Sequence, residues 1–406
     1  MFFKLAVSSL VARRLTVFLA VLSVFVSTFV VLGVEHIRQE ARNSFNKTVA
    51  GVDLVVGART GQINLLLYSV FRIGSATNNI TWESYQDISA SPGISWSVPI
   101  ALGDSHRGYR VMGTTSDYFQ HFRYGNNQSL VLNGTAFSDF RSTTDAQPVA
   151  DFAAVLGSDV AVRLGYQHGH EFVIAHGIGA TSFSQHDHHP FTVSGILAPT
   201  GTPVDQTIHV SLESLEAAHH SGPMPESVTA FMLGLESRLQ TFSLQRDINN
   251  YPQEPLLAIL PGVALSELWQ LMNVAERTLS LIGGLIMASA LLGIATMLLS
   301  TLQQRQREML VLRALGARPA FIFLLIQAEA LMMTVTGMLA AIATLTMGLA
   351  LTADMISRQF GIFVSAQVLQ AATLPYLTGM LLMTVILATI PAARAYRQSS
   401  IIKIND

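Results

Sequence analysis

The apolar positions of this chain gather into four long runs, one near the start and three crowded into the last third, with 243 mostly polar residues between the first and the second. Residues 15–34, 278–302 and 371–393 carry no charged side chain, and residues 320–353 carry only Glu329. At a rise of ~1.5 Å per residue each run can cross a hydrocarbon core of ~30 Å. The pattern therefore predicts a membrane α-helical protein with four transmembrane helices and a large α+β extracytoplasmic domain inserted between helices 1 and 2. The third run would reach ~51 Å, so part of it extends beyond the bilayer.

The divisions follow from these runs. Residues 1–14 read as an interfacial helix, 15–34 as the first span, 35–262 as the extracytoplasmic domain and 263–277 as a stalk helix. Residues 278–302 form the second span, 303–319 a short loop with a helical pattern, 320–353 the third span, 354–370 a second loop, 371–393 the fourth span and 394–406 a tail. A cleavable secretory signal is the alternative for the first run. Its 20 uncharged residues exceed the usual h-region of ~7–15, and no small-x-small cleavage pattern follows Gly33.

Arginine and lysine set the orientation. Lys4, Arg13 and Arg14 precede the first span, Arg305, Arg307, Arg313 and Arg318 lie between the second and third, and Arg394, Arg397 and Lys403 follow the fourth. With four spans all three clusters share one side, which the positive-inside rule makes the cytoplasm.

Between the first two runs the pattern changes to mixed α and β. Residues 52–56, 97–101, 109–112, 172–175, 191–197 and 207–210 read as strands, punctuated by turn sequences at Pro92-Gly93, Asn133-Gly134 and Pro199-Thr200-Gly201. Helical patterns occupy 81–89, 158–164 and 212–219. In 263–277, Leu265, Leu268, Met272 and Ala275 recur at helical spacing and run without a breaker into the second span.

Composition supports a membrane class: hydrophobic residues make up 50% of the chain, charged ones only 12%, and mean hydropathy is +0.42. A net charge of −2 with no basic stripe leaves nucleic acid without an electrostatic footprint. The absence of cysteine removes disulfides, thiolate metal sites and thiol nucleophiles. None of the three lysines, Lys4, Lys47 and Lys403, follows glycine in a P-loop triplet, so any ATP and magnesium must be handled by a partner. No nucleophile elbow is present, and His170-Glu171 lacks the second histidine of a zinc-protease helix. Nothing in the sequence argues for an enzyme.

Residues 303–317, QQRQREMLVLRALGA, form an amphipathic helix candidate with Met309, Leu312 and Leu315 near one face and a Gly316 stop ahead of Pro319. Glu308, Leu312, Arg313, Ala314, Leu315, Gly316 and Ala317 resemble the E-x-x-x-L-R-A-L/I-G-A segment of the FtsX-like, MacB-type ABC permeases, whose relatives include LolC and LolE. Residues 391–402, PAARAYRQSSII, resemble that family's tail, although its second proline is missing. VLGSDVAVRLG at 155–165 followed by PFTVSGIL at 190–197 is similar to the MacB-type periplasmic core, through Gly157, Ala161, Leu164, Phe191, Val193 and Gly195.

The resemblance implies a permease subunit in the bacterial inner membrane, as a homodimer or with a related permease, paired with a separate cytoplasmic ABC ATPase. It implies coupling through Glu308, Met309, Leu312, Arg313, Leu315 and Gly316, and mechanotransmission through the stalk to a periplasmic partner or cargo such as a lipoprotein, peptide or amphiphile. A zinc-handling permease working with a metal-binding periplasmic protein, or a non-transporting regulator, are the alternatives.

Three further features are candidates. Gly284, Ala288, Ser289 and Gly293 form a small-xxx-small pattern suited to dimer contact or to close packing within one subunit. Glu329 is an intramembrane carboxylate, read as a structural contact near the coupling loop, with an ion relay as the other reading. All twelve histidines lie between His36 and His220, and His186, Asp187, His188 and His189 together have a composition suited to zinc, although a solvated turn would look the same.

Overall fold

The computed structural model describes residues 2–48, 51–139, 151–177, 189–219, 225–304, 311, 312, 314, 316–360, 367–371 and 373–401. The chain forms two compact units. One comprises Met1–Glu40, Asn273–Asp354 and Val364–Asp406; the other comprises Ala41–Met272 and Met355–Phe363.

The chain begins with α1 (Phe2–Ala12) and, after a turn at Arg13, α2 (Arg14–Thr48). The apolar pattern places the end of the first helix near position 34, yet α2 continues to Thr48. Residues 35–48 contain neither Pro nor Gly, and Arg38, Gln39, Glu40, Ala41 and Arg42 are consecutive helix formers, so helical propensity helps to carry the chain on after its apolar face stops.

The second unit is built on a mixed sheet. In chain order its elements are β1 (Leu54–Ala58), α3 (Gln62–Ser69), β2 (Ile80–Thr81), α4 (Trp82–Ser89), β3 (Ile94–His106), β4 (Tyr109–Thr114), α5 (Asp117–His121), β5 (Arg123–Tyr124), β6 (Gln128–Ser129) and β7 (Leu132–Gly134). Then come β8 (Ala153–Leu156), α6 (Ser158–Leu164), β9 (Glu171–Phe172), β10 (Ala175–His176), β11 (Phe191–Leu197), β12 (Thr207–Ser211), α7 (Leu212–His219), β13 (Ser227–Val228), β14 (Ala230–Leu235), α8 (Thr241–Asn249) and β15 (Leu256–Ile259). The main path of the large sheet runs β15-β1-β14-β3-β4-β12-β8-β11-β7, with β10 on β3 and β9 on β11. Most pairs are antiparallel; β12 with β4 and β11 with β8 are parallel.

Burial explains the strand patterns. In β1 every residue is buried, because Leu54 and Val56 pack with Trp82, Tyr85 and Phe231 while Val55 packs with Leu65, Val98 and Met112 in a separate cluster. Such a strand reads as a continuous apolar run. In β11, by contrast, Phe191, Val193, Gly195 and Leu197 are buried and Thr192 is exposed, the period of two expected for a strand with one wet face. Helix starts are capped by hydroxyls: Thr81 accepts from the Ser84 amide at 3.3 Å, and Ser211 from the Ser214 amide at 3.0 Å. The sequence pattern matches α6, α7 and β11 and lies within about two residues of most other elements it picks out, but it does not mark α3, α5, α8, β8, β14 and β15, and 172–175 divides into β9 and β10.

The chain then continues as α9 (Pro261–Gln304), α10 (Pro319–Phe360) and α11 (Leu374–Ile401). Pro261 stands at the first position of α9, where its fixed φ favours the helix and no amide is lost. Among the described residues, four helices are long and apolar enough to cross a membrane: Arg14–Thr48, Pro261–Ser300, Pro319–Thr352 and Leu374–Arg397. In the first unit, Ala20 and Val24 of α2, Leu291, Ile294 and Leu298 of α9, Ile322, Ile326 and Met333 of α10 and Met380 and Ala388 of α11 share one core. The α2/α10 crossing is close because position 337 is glycine: a Cβ there would lie 2.7 Å from Cγ1 of Val24 and 3.0 Å from the Val21 carbonyl oxygen.

Two histidines make the sheet domain sensitive to pH in opposite directions. His209 on β12 is fully buried, with Nδ1 3.2 Å from the Val155 carbonyl oxygen and its ring 5.4 Å from that of Tyr118. Burial, reinforced by the Arg72 charge and opposed by that carbonyl, pushes its pKa down to about 3. Because this folded value is below the unfolded one, the stability it contributes is complete above pH ~6.5 and falls as pH drops towards the folded value, by about 2 kcal/mol at pH 5. Burial also works against charge on His219, but its contact with Asp104, 3.1 Å away, outweighs this and raises the pKa. That contribution is complete below ~6.5 and is lost as pH rises through the folded value. Thermal unfolding of the full chain in detergent should show a melting temperature that falls between pH 7 and 5, and His209→Gln should flatten that slope. An unchanged slope in the variant would assign the acid sensitivity elsewhere.

Candidate functional site

The strongest polar constellation of the helical unit lies where α2 leaves its apolar run. Glu35 follows Val34 directly, and Arg38 is one helical turn further on, so the two share a face. Arg38 Nη2 donates to Glu35 Oε1 at 2.6 Å and Nη1 donates to Glu276 Oε2 of α9 at 2.9 Å. The Tyr376 hydroxyl of α11 donates to Glu35 Oε2 at 3.3 Å. One turn beyond, Gln370 Nε2 donates to Glu40 Oε1 at 3.0 Å. Glu35, His36 and Glu40 are all buried. This knot ties α2, α9 and α11 together at the level where the apolar runs of α2 and α9 meet polar sequence.

The apolar pattern puts Glu35 and Arg38 at the start of the domain and gives no sign of the knot. In the sequence the knot shows only as acid and base three apart beside the first span, with another acid beside the second. A cavity of about 290 Å3 opens beside the knot, walled by α2 and α9.

Deeper in the bundle, Glu329 is 1% exposed and so sits inside the helical core. Neighbouring polar side chains stitch α10 to α11: Gln327 Nε2 donates to the Val385 carbonyl at 3.2 Å and to the Thr389 hydroxyl at 3.1 Å, and the Thr334 and Thr384 hydroxyls are 3.1 Å apart. Such interhelical hydrogen bonds satisfy polar groups that hydrocarbon cannot.

Between α9 and α10, Glu308, Met309, Arg313 and Leu315 lie outside the described residues. Leu312 is helical and half-buried, and Gly316 has φ +89°, with the Ala317 amide donating to the Leu312 carbonyl at 2.9 Å. This is a left-handed helix stop, which glycine adopts without a Cβ penalty.

In α9 the packed glycine is Gly283, where an added Cβ would lie 3.3 Å from Val31 Cγ2, whereas a Cβ at Gly284 or Gly293 would meet nothing within 4 Å. Gly284, Ser289 and Gly293 are exposed within the single chain and Ala288 is half-buried, so close packing inside one subunit is not what Gly284 and Gly293 provide. Of the histidine cluster, His186, Asp187 and His188 lie outside the described residues. His189 is exposed, its ring stacked on Phe152 at 4.9 Å and an interplanar angle of 4°. Among the described residues no group of three or more His, Asp or Glu side chains is placed to hold a metal ion.

Residues 15–251 match the family model of the MacB-like periplasmic core domain, and residues 280–401 match that of the FtsX-like permease C-terminal region. The chain belongs to the MacB/FtsX-type permease family. It is therefore an ABC-transporter permease, a multi-pass membrane protein with an extracellular domain, and its family membership implies a cytoplasmic ABC ATPase as partner. Among solved structures, the periplasmic region of MacB from Actinobacillus actinomycetemcomitans is 11% identical, with 55% of this chain and 97% of that one covered at a TM-score of 0.37. The extracellular domain of the noncanonic ABC-type transporter YknZ from Gram-positive bacteria is 15% identical, with 51% and 99% covered at a TM-score of 0.33. No curated protein matches the chain.

Proposed function

We propose that this permease transmits ATP-driven closure of a separate ATPase to its extracytoplasmic domain, moving or extracting a lipoprotein, peptide or other amphiphile without a wide solute channel. In this reading the sheet domain is inserted between the first and second spans, on the far side of the bacterial inner membrane from the basic clusters. Two copies associate through the small residues of α9, and the segment ahead of Gly316 docks on the ATPase. The observation that carries the reading is the continuity of α9 from Pro261 to Gln304, a single rod long enough to cross the bilayer and project beyond it. A rigid rod passes axial movement along its length, which a hinged linker would absorb.

Topology is the first thing to test, and the absence of native cysteine makes it simple. Single cysteines at Ser44, Ser221 and Gln359 should react with an impermeant thiol reagent applied to intact cells. Those at Gln304 and Ser399 should react only after permeabilisation. Labelling of Gln304→Cys from outside would place the loop on the wrong face and remove the ATPase-coupling role.

A further inference from the structure

The cavity beside the polar knot is divided by chemistry. Its inner wall is aliphatic, formed by Val30 and Val34 of α2 and Ile282 and Ile286 of α9, while its mouth carries Glu35, Arg38, Glu276 and Arg277. Two carboxylates and two guanidinium groups therefore face one opening, a balanced set rather than a field of one sign. Arg38 is held between Glu35 and Glu276. Arg277 is exposed at the rim, beside the first residue of an apolar run. These charges mark the depth of the lipid headgroups, because hydrocarbon-length sequence begins immediately inward of Glu35 on α2 and of Arg277 on α9. Tyr376, which hydrogen-bonds Glu35, is the kind of aromatic residue that settles at that level.

At about 290 Å3 the cavity is roughly ten times a water's ~30 Å3 share of liquid and close to the ~300 Å3 lower edge of ligand pockets. An aliphatic wall of this size inside the bilayer takes a hydrocarbon chain. A mouth bearing both signs of charge takes a headgroup that also bears both.

We propose that this groove binds one zwitterionic phospholipid of the ethanolamine type, an acyl chain against Val34 and Ile282, its phosphate towards Arg277 and its ammonium towards Glu276 and Glu35. An anionic glycerol headgroup supplies the phosphate but leaves the carboxylates facing a second set of acceptors, so it binds more weakly. On α9 the groove is lined by positions 279, 280, 282, 283 and 286; Gly284 and Ala288 point ~130–170° away from its centre, whereas Gly293, two turns further along from Ile286, returns to the groove's side. A second copy meeting Gly284 and Ala288 therefore leaves the groove available. The proposal rests on the membrane-spanning reading of these helices and not on ATPase coupling.

Native mass spectrometry of the full chain released from detergent tests it directly, with added dioleoyl phosphatidylethanolamine or phosphatidylglycerol. One phosphatidylethanolamine per chain should be retained under activation that strips phosphatidylglycerol. Val34→Trp, which fills the groove, should weaken retention at least tenfold, and Arg277→Gln should reduce the preference for ethanolamine over glycerol lipid. Equal retention of both lipids, or retention unaffected by Val34→Trp, would show only unspecific surrounding lipid and overturn the proposal. So would efficient disulfide-linked dimers of Ile282→Cys in membranes, which would make a second copy the occupant. Since no ATPase is present, failure of the coupling model would leave these results unchanged, and failure here would leave coupling untouched.

Discussion

Arg38→Glu should destabilise the full chain by about 2 kcal/mol or more, below the ~3–5 kcal/mol of a fully buried ion pair because the Arg38 side chain is 32% exposed. The effect is large because of what remains: Glu35, 6% exposed, and Glu276 would face a third carboxylate across the same few ångströms. Their attraction to Arg38 now offsets the cost of burying Glu35, and reversing the charge turns both contacts into repulsions. The test is reciprocal. Glu276→Arg alone should also destabilise, by opposing Arg38, whereas the double variant Arg38→Glu with Glu276→Arg should recover a substantial part of the loss, because one opposite-charge contact between α2 and α9 is restored. Thermal unfolding in detergent measures all three. If the double variant melts no higher than the worse single one, the two residues act independently and the knot does not join the helices.

The four membrane helices were legible because their apolar runs are long and almost free of charge, a signal that tertiary packing does not alter. Their ends were not. α2 overruns its apolar run by a further 14 residues, from position 34 to Thr48, because helix formers and polar contacts such as Arg38 to Glu276 sustain it there without an apolar run to read. In the domain, β11 was legible from its alternation, and α6 and α7 from short helical patterns. β14, which is buried throughout except for Leu235, and β15 offer only short apolar stretches, and periodicity cannot separate such stretches from buried helix. The site was less readable still. Glu35, Glu276 and Tyr376 are separated by 241 and 100 positions, and only the bundle brings them to one place. On α9 the glycine that packs within the chain is Gly283, one position before the small-residue pattern that begins at Gly284.

Replacing Leu312 with Asp should uncouple the permease from its ATPase while leaving insertion and expression intact. Leu312 lies in the last turn before the Gly316 stop, and that stop is made by its backbone carbonyl accepting from Ala317, so a side-chain change leaves the turn in place. What changes is an apolar contact on a short helix, and truncating or charging a central apolar anchor of a small interface costs ~2 kcal/mol or more, about thirtyfold in affinity. Val311, 59% exposed beside it, provides the control for internal packing, since it has little burial within the chain to lose. Val311→Asp should therefore weaken association without altering the melting temperature. Glu308→Arg addresses the charged side of the same segment and should reduce ATPase stimulation. Co-purification of the ATPase and its stimulation by the permease are the measurements, made beside thermal unfolding of the permease alone. Full co-purification and full stimulation in both Leu312→Asp and Val311→Asp would reduce this segment to a connector between α9 and α10, and the ATPase would have to grip the permease elsewhere on its cytoplasmic face.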